Sequence, residues 1–475
     1  MSTRAARAWL LPLALLPSLS ACTLDLPQVT PCDTSPQCTE AFGWGHTCGD
    51  AGYCEVAEAH PRCDHVDPPD LFANRAAYRD RIVLGSIYDR SAFPLEMQSI
   101  ALAVSQANEN NGVDTRLFAF VQCNSAAEAA ADGLSTEQAN AELADYLAGS
   151  LGAPAIVGPA TSARTEAAFL AAQPYGSLVI SPSATSPALT YLDGLQHNNA
   201  SPGLLWRTVP PDDLQGAVIA QDMATRGKTD VAVIHETGPY GEGLAEVFVA
   251  EFGGRGALFP FSGDEDRDAA LAAVNADFTY EEVLFISSER SVIVDFLVRA
   301  ENVVGLTRDV FLTDGAYDTA ILQEVNAQGA GPILQRVRGT RPAVPGGNVY
   351  NQFVASFAAA YDADATASGF TSYAYDAAWL VIYGAAWAIY NENRLSGTTL
   401  ARGLRRVSDG SPLPIRPTSW NEIRANFQEG NPVDIEGASG QLDYDPLSEE
   451  TSAPIDVWGV DLEGDAFVVL QTIEP

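Results

Sequence analysis

From residue 81 onward, short apolar runs alternate with longer stretches whose apolar residues recur at helical spacing. This alternation is typical of βα units, in which a helix follows each strand of a parallel sheet. The predicted strands are 81–87, 116–121, 155–157, 178–180, 230–235, 257–261, 282–286 and 309–312. The predicted helices are 95–109, 137–148, 213–226, 242–252 and 292–301. We therefore expect an α/β protein with two doubly wound sheets, because a single parallel sheet of that many strands is less common.

The first residues of the chain have the pattern of an export signal. Two arginines precede an apolar run over 8–21, which is shorter than the ~20 residues of a membrane-spanning helix. The run ends in Leu-Ser-Ala before Cys22, which resembles the lipobox of bacterial lipoproteins. We expect residues 1–21 to be a lipoprotein signal peptide and Cys22 to carry a lipid anchor. An ordinary cleavable signal beside a coincidental cysteine is the alternative.

The later segment that comes closest to a membrane span is 370–390, but polar side chains interrupt it. Ser372, Asp376 and Tyr383 lie within this stretch. Such residues suit a buried amphipathic helix better than a helix in contact with lipid.

Residues 22–75 form a segment with few aliphatic side chains and five cysteines, which are Cys32, Cys38, Cys48, Cys54 and Cys63. This segment is too poor in apolar residues to bury a core, and export implies an oxidising compartment. Disulfides are therefore expected, with a zinc site that includes nearby histidines as the alternative. Because five is odd, at least one cysteine pairs outside the segment, and the remaining candidate is Cys123. We predict a tether from Cys63 to Cys123, while the other pairings stay open.

Composition and motifs argue against several classes of function. The formal charge is −35, with 61 acidic against 26 basic residues, so the basic footprint of a nucleic-acid-binding protein is missing. The five histidines lie in no HExxH or comparable spacing, and the sequence contains no GxxxxGK[ST] phosphate loop. We expect neither enzymatic activity nor a metal or cofactor.

Two hydroxyl-rich turns follow neighbouring predicted strands. Gly-Pro-Ala-Thr-Ser162 follows the strand 155–157, and Ser-Pro-Ser183-Ala-Thr185-Ser-Pro follows the strand 178–180. Open α/β sheets bind ligands beyond the carboxyl ends of their strands. Hydroxyls and free amides at a helix amino terminus suit a carboxylate or similar anion, although helix capping alone also explains such residues.

These turns resemble those of the branched-chain amino-acid-binding proteins of ABC importers, and further motifs follow in the family's order. Residues 206–210 resemble the first crossing between lobes, and 231–235 followed by Tyr240-Gly241 resemble a strand and turn of the second lobe. Similar turns stand at 311–315 and 436–440, so that the resemblance extends from about residue 81 to the end.

The resemblance implies a type I periplasmic-binding-protein fold, in which two Rossmann-like lobes joined by three crossings close on a ligand. We expect the small Cys-rich disulfide module and linker, 22–75, to precede these lobes. Lobe 1 is expected at 81–206 plus 341–436, and lobe 2 at 207–340 plus 437–475.

The resemblance also implies ligand-binding residues. Ser162 matches a serine whose hydroxyl meets a ligand carboxylate, while Ser183 and Thr185 match positions that bind carboxylate and amino group. Asp314 stands where the family has an acidic residue for the ligand ammonium, and Tyr240 where an aromatic residue closes the cleft. A turn residue before a glycine and a core tyrosine are the ordinary alternatives for Asp314 and Tyr240.

Departures from the family pattern fall on the ligand-facing loops. Phe93 follows the first strand and offers an aromatic wall, with a core role as the alternative. Arg290 follows Glu289 after the strand 282–286, and a charged pair in the cleft would favour a more polar ligand, although a solvated helix start also explains it. The family's disulfide in lobe 1 is also altered, because Thr161 replaces one partner of Cys123.

The expected function is that of a lipid-anchored, periplasm-facing solute-binding protein on the inner or outer membrane. It would close on an amino acid or similar small polar ligand and deliver it, as a monomer, to an ABC permease. A ligand-sensing receptor of the same fold and a cell-envelope interaction protein with a vestigial cleft are the alternatives.

Overall fold

The computed structural model describes residues 30–194, 196–302, 308–344, 346–461 and 465–474. The predicted signal peptide and Cys22 lie outside the described residues. Within the described ranges, no helix is both long enough and apolar enough to cross a membrane.

Seventeen strands occur in the described residues: β1 (His46–Cys48), β2 (Cys54–Val56), β3 (His65–Asp67), β4 (Ile82–Tyr88), β5 (Phe118–Asn124), β6 (Ala155–Val157), β7 (Leu178–Ser181), β8 (Leu205–Arg207), β9 (Asp230–Glu236), β10 (Arg255–Phe261), β11 (Glu282–Ile286), β12 (Asp309–Leu312), β13 (Val337–Pro342), β14 (Ser411–Pro414), β15 (Val433–Glu436), β16 (Ile455–Val460) and β17 (Phe467–Ile473).

The α-helices found in the same residues are α1 (Ser35–Phe42), α2 (Pro94–Glu109), α3 (Thr136–Asp145), α4 (Ser162–Ala172), α5 (Pro187–Thr190), α6 (Asp212–Thr225), α7 (Pro239–Glu251), α8 (Asp264–Ala276), α9 (Arg290–Asn302), α10 (Thr319–Ala327), α11 (Gly347–Tyr361), α12 (Thr371–Trp387), α13 (Gly397–Leu404) and α14 (Trp420–Gln428). Short 3-10 turns lie at Arg75–Tyr78, Ala127–Ala129, Gln173–Tyr175, Asp314–Ala316, Gly331–Arg336, Ala365–Ala367 and Pro417–Ser419, and π-helical turns lie at Tyr146–Ser150 and Ala388–Glu392.

The first large sheet has six strands in the order β3-β5-β4-β6-β7-β8, and all but β3 are parallel. Every residue of β4 is buried, because helices cover both faces of the sheet. Ile82 and Leu84 face the core that contains α2 and α12, whereas Val83 and Ile87 face the core that contains α3 and α4. We call the body built on this sheet lobe 1.

The second large sheet has seven strands in the order β10-β9-β11-β12-β13-β16-β17. Strands β9 to β13 are parallel, while β16 and β17 run antiparallel at one edge. We call the body built on this sheet lobe 2. In each lobe the second parallel strand lies on one side of the first, β5 beside β4 and β10 beside β9, and the third strand lies on the other side. The order in which the chain adds strands therefore reverses between β4 and β6 and between β9 and β11. Such a switch point is where open sheets bind ligands.

The predicted architecture is confirmed, since the chain has two mostly parallel sheets and a strand near each of the predicted positions. The prediction of an amphipathic helix over 370–390 is wrong in one respect. All residues of α12 are buried, because α2, α13, α14 and the sheet of lobe 1 surround this helix. A helix enclosed on every side needs no polar stripe.

Three connections join the two lobes. They run from β8 to α6, from β13 to α11, and from the segment after Tyr444 to β16. Leu442 and Tyr444 pack in the core of lobe 1, so in this structure the last crossing lies after the predicted boundary at 436.

Disulfides hold the Cys-rich module, which the structure describes from residue 30 to residue 75 and which contains α1, β1, β2 and β3. Cys32 pairs with Cys48 and Cys38 pairs with Cys54. Cys63 pairs with Cys123 on β5, which is the tether predicted from the sequence. Beside this link, β3 pairs antiparallel with β5, so the module closes one edge of the lobe 1 sheet.

Candidate functional site

A cavity of about 310 Å³ lies between the carboxyl ends of the two sheets. The loops that follow β4, β6 and β7 line it from lobe 1, and the loops that follow β9, β11 and β12 line it from lobe 2. This position coincides with the switch point of each sheet, and the volume falls at the lower end of that of small-molecule sites.

The lobe 1 wall brings the two hydroxyl-rich turns together. Ser162 is the first residue of α4, and its Oγ accepts a hydrogen bond from the backbone N–H of Ser186 at 3.2 Å. Ser183 Oγ donates to the carbonyl of Ala160 at 2.8 Å, and both serines line the cavity. A helix amino terminus beside two hydroxyls is suited to an anionic group.

Gly158 allows the first of these turns to pass close to β4. Its φ of +94° is left-handed, and a Cβ at this position would lie 2.7 Å from the carbonyl oxygen of Ile87. Glycine is therefore required where the loop after β6 approaches the loop after β4.

The lobe 2 wall carries a buried carboxyl group. Asp314 is 3% exposed, and its Oδ1 accepts hydrogen bonds from Gln215 Nε2 at 3.0 Å and from the Tyr240 hydroxyl. The Tyr240 hydroxyl also lies 2.7 Å from Thr313 Oγ1. Burial raises the pKa of Asp314, while the hydrogen bonds from Tyr240 and Gln215 act in the opposite direction. Burial and the neighbouring Asp314 raise the pKa of Tyr240.

Asp212, at the start of α6, adds a second carboxyl group that the sequence did not indicate. It is 1% exposed, and neither carboxylate oxygen has a hydrogen-bond partner within the described residues. Burial raises its pKa, and the charge of Asp314 adds to this effect. Asp212 follows two prolines and precedes Asp213, so its sequence pattern is that of an ordinary helix start.

Thr185 lies beside Asp212 instead of lining the cavity itself. Its carbonyl accepts a hydrogen bond from the backbone N–H of Asp212 at 2.8 Å. Its hydroxyl is close enough to influence the Asp212 carboxylate, but the geometry falls short of a hydrogen bond. The neighbouring Arg207 forms its ion pair with Glu450, and its charge acts on Asp212 in the direction opposite to burial. Neither Thr185 nor Asp212 lines the cavity, so Asp314 is the buried acid of this group that a cationic ligand could reach, and Asp212 influences it through charge.

The far end of the cavity contains the two residues that depart from the family pattern. Phe93 precedes α2 and lines the cavity. Arg290 begins α9, donates through Nη2 to the carbonyl of Ala92 at 2.7 Å, and pairs with Asp318 at 2.8 Å. Arg290 therefore connects lobe 2 to the loop after β4 in lobe 1.

Further contacts join the lobes beside the cavity. Arg164 on α4 pairs with Glu289 of lobe 2 at 2.5 Å, and Ser186 Oγ donates to the carbonyl of Pro239 at 2.6 Å. Glu289 is thus turned toward a neighbouring helix of lobe 1, while Arg290 lines the cavity.

Six of the seven predicted ligand-binding residues line this one cavity, namely Phe93, Ser162, Ser183, Tyr240, Arg290 and Asp314, and Thr185 lies next to it. Sequence reasoning missed Asp212 and also Glu96, a buried cavity residue in the first turn of α2.

Within the described residues, Cys32, Cys38 and Cys48 form a group of potential metal ligands whose sulfurs all lie within 4.8 Å of one another. All three sulfurs belong to disulfides, so they are not available as thiolate ligands. The zinc alternative considered for this segment is therefore not what the structure shows.

Comparison with known proteins places this geometry in a wider group. Residues 95–463 match the profile of a family described as the receptor family ligand binding region. A leucine-, isoleucine-, valine-, threonine- and alanine-binding protein of Pseudomonas aeruginosa is 32% identical over 123 residues. That match covers 25% of this chain and 31% of the relative, so it spans less than a third of the relative's length.

Solved structures share the fold over most of the chain. The branched-chain amino acid transporter substrate-binding protein LivJ of Streptococcus pneumoniae, in complex with isoleucine, has a TM-score of 0.63 at 19% identity and covers 83% of this chain and 100% of its own. The leucine-binding protein LivK of Thermotoga maritima has a TM-score of 0.64 at 18% identity, with 83% and 99% covered. A solute-binding protein of R. palustris in complex with benzoate has a TM-score of 0.59 at 18% identity, with 83% and 97% covered.

Proposed function

The chain belongs to the family described as the receptor family ligand binding region, and we propose that it is a solute-binding protein that closes two lobes on an amino acid. In this proposal it is anchored outside the cytoplasm by lipid at Cys22 and delivers its ligand to an ABC permease. The similarity to the Pseudomonas aeruginosa amino-acid-binding protein and to LivJ and LivK supports a substrate-binding role of this kind.

The observation that carries the proposal is the opposite chemistry of the two sides of one cavity. Ser162 and Ser183 present hydroxyls beside the amino terminus of α4, which suits an α-carboxylate. Asp314 presents a buried carboxyl group to the cavity, which suits an α-ammonium group. A zwitterion of α-amino acid type satisfies both sides at once.

The division of these groups between lobes explains why binding would require closure. The serines are on lobe 1 and Asp314 is on lobe 2, so a ligand that bridges them stabilises the closed arrangement over the open one. The Arg164–Glu289 pair and the Ser186–Pro239 hydrogen bond add contacts that depend on closure but not on ligand.

A thermal-shift and calorimetry screen of the chain from residue 23 tests the proposal. The ligands are the amino acids, their α-amides, the matching α-keto acids, and benzoate. Binding to the native state at a hundredfold excess over Kd stabilises it by about 2.7 kcal/mol, and the melting temperature should rise by a few degrees. We expect amino acids to bind and their α-keto acids, which lack the ammonium group, to bind at least tenfold more weakly.

Two results would contradict the proposal. Tight binding of keto acids or of benzoate, with no response to amino acids, would assign the cavity to anions. The absence of any thermal shift in a cooperatively folded sample would favour the alternative of an envelope protein with a vestigial cleft.

A further inference from the structure

One acidic side chain of the cavity has no role in holding an amino acid by its main-chain groups. Glu96 is in the first turn of α2, three residues after Phe93, and it lines the cavity together with Arg290. The residue is 3% exposed, so its carboxyl group is almost fully removed from bulk water.

Glu96 has a hydrogen-bond partner but no counter-ion. The hydroxyl of Ser368, which also lines the cavity, donates to Glu96 Oε1. The ion pairs of the described residues do not include Glu96. A carboxylate in a site of this kind is costly unless a donor or a cation approaches it.

The nearest cation is already occupied. Arg290 pairs with Asp318 at 2.8 Å and donates to the carbonyl of Ala92 at 2.7 Å. Burial raises the pKa of Glu96 and the charge of Asp318 adds to this effect, while the hydrogen bond from Ser368 and the charge of Arg290 act in the opposite direction. The charged side chains in this part of the cavity are therefore Glu96, Asp318 and Arg290, and Arg290 is already paired with Asp318.

The walls around Glu96 are otherwise largely apolar. Phe93, Leu95 and Phe370 line the same part of the protein surface as Glu96 and Ser368. Ser368 donates to Oε1, so a purely aliphatic ligand side chain would cover Glu96 Oε2 without offering it a hydrogen bond. Leaving a buried acceptor unpaired costs about 1–3 kcal/mol, and more for a charged group.

We propose that Glu96 selects ligands whose side chain ends in a hydrogen-bond donor, so that the preferred ligand is a donor-bearing amino acid and not a branched aliphatic one. This inference rests on the proposed function, because it assumes that Ser162, Ser183 and Asp314 fix the main-chain groups of the ligand. In this inference Glu96 and Ser368 contact the side chain of the same ligand.

Pairs of amino acids with similar shape test the assignment. Leucine and asparagine differ mainly in the donor, as do methionine and glutamine, and norleucine and lysine. We expect the wild-type protein to bind the donor-bearing member of at least one pair ten times more tightly or better, as measured by calorimetry. The lysine pair distinguishes a cationic donor from the neutral amides of the other two pairs.

Two substitutions of Glu96 locate the effect. Glu96→Leu should abolish the preference within the pair, through weaker binding of the donor-bearing ligand and equal or tighter binding of the aliphatic one. Glu96→Gln keeps the size and an acceptor oxygen, so it should retain an amide ligand and lose at least tenfold for a cationic one. Glu109, exposed in the last turn of α2, provides the matched control through Glu109→Leu and Glu109→Gln.

The outcomes separate this inference from the proposed function. If leucine, methionine and norleucine each bind as tightly as their partners, and Glu96→Leu leaves the ratios unchanged, Glu96 is not a selector although the protein still binds amino acids. If no member of any pair binds, the proposed function fails and the assignment of Glu96 fails with it. A circular dichroism melt of each ligand-free variant shows that a changed ratio does not reflect misfolding.

Discussion

Lobe 1 and lobe 2 arrange their parallel strands in the same order but line the cavity with different chemistry. Lobe 1 contributes hydroxyls at a helix amino terminus, whereas lobe 2 contributes the Asp314 carboxyl group, the Tyr240 hydroxyl and the Arg290 guanidinium. The strand order determines the position of the cavity between the loops, and the loop residues determine which ligand the cavity can bind. A second difference is covalent, because only lobe 1 is joined by a disulfide to the Cys-rich module within the described residues.

The largest expected effect comes from removal of that disulfide, which should destabilise lobe 1 relative to lobe 2. The Cys63–Cys123 disulfide closes a loop of 60 residues, and cross-links of this length stabilise the native state by about 4 kcal/mol in the chain-entropy account. The double substitution Cys63→Ala, Cys123→Ala should reduce hydrogen-exchange protection in β4 and β5 and leave β9 and β11 unchanged.

A matched control for the tether is available inside the module. Cys32→Ala with Cys48→Ala removes a disulfide that spans 16 residues and does not reach lobe 1. This variant should alter exchange in the module alone. Equal loss of protection in both lobes of the tether variant would show that the lobes unfold as one unit.

A buried acid in lobe 1 should give that lobe a pH dependence of its own. Asp376 accepts hydrogen bonds from the backbone N–H groups of Ala438 and Ser439 and from Ser439 Oγ, yet burial raises its pKa from 3.8 to about 7. Between these values the native state binds more protons than the unfolded state. The free energy of unfolding should therefore fall as the pH rises from about 4 to about 7, by at most about 1.4 kcal/mol per pH unit.

Urea unfolding of the wild type and Asp376→Asn across this range measures the contribution. The free energy of unfolding of the wild type relative to that of Asp376→Asn should be highest at the acid end and should fall as the pH rises, because only the wild type loses stability through ionisation. Asp362→Asn is the control, since this residue is exposed and adopts a left-handed conformation that asparagine tolerates. A constant difference across the range would mean that Asp376 is ionised throughout.

Removal of the charge from lobe 2 tests the chemical contrast directly. Asp314→Ala should weaken the binding of an amino acid by about 1–3 kcal/mol, the usual cost of losing a hydrogen bond to a charged group, without loss of the fold. Calorimetry measures the affinity, and Glu324→Ala, an exposed position on α10, is the control. An unchanged Kd would remove Asp314 from the binding site.

The smallest expected effect concerns the ion pair between the lobes. Arg164 is buried but Glu289 is about one-third exposed, so the pair should favour closure by no more than about 1 kcal/mol. Arg164→Gln should lower ligand affinity a few-fold and increase the radius of gyration of the ligand-free protein in solution scattering. A double-mutant cycle with Glu289→Gln isolates the pair, and additive effects would show that the two residues do not interact.

The sequence predicts eight of the ten parallel strands of the two large sheets, because their apolar runs are short and bounded by turns, but it misses β8 and β13. It predicts less at the edges, where pairing depends on distant segments. Strand β3 exists because it pairs with β5, and β17 exposes most of its residues at the rim of its sheet, so neither has the pattern of a buried strand.

The candidate site shows the same limit. The turns with Ser162 and Ser183 stand out because hydroxyls cluster after predicted strands. Asp212 and Glu96 look like ordinary acidic residues at helix starts, and such residues are common there. Their distinguishing property is burial, which only the packing of the two lobes creates.

The link between the module and lobe 1 has a mechanical consequence. The module is attached to lobe 1 both by the Cys63–Cys123 bond and by the pairing of β3 with β5. In a molecule held by its amino terminus, lobe 1 is then the stationary frame and lobe 2 is the arm that swings. Ligand binding would then change the orientation of lobe 2 relative to the surface that holds the molecule.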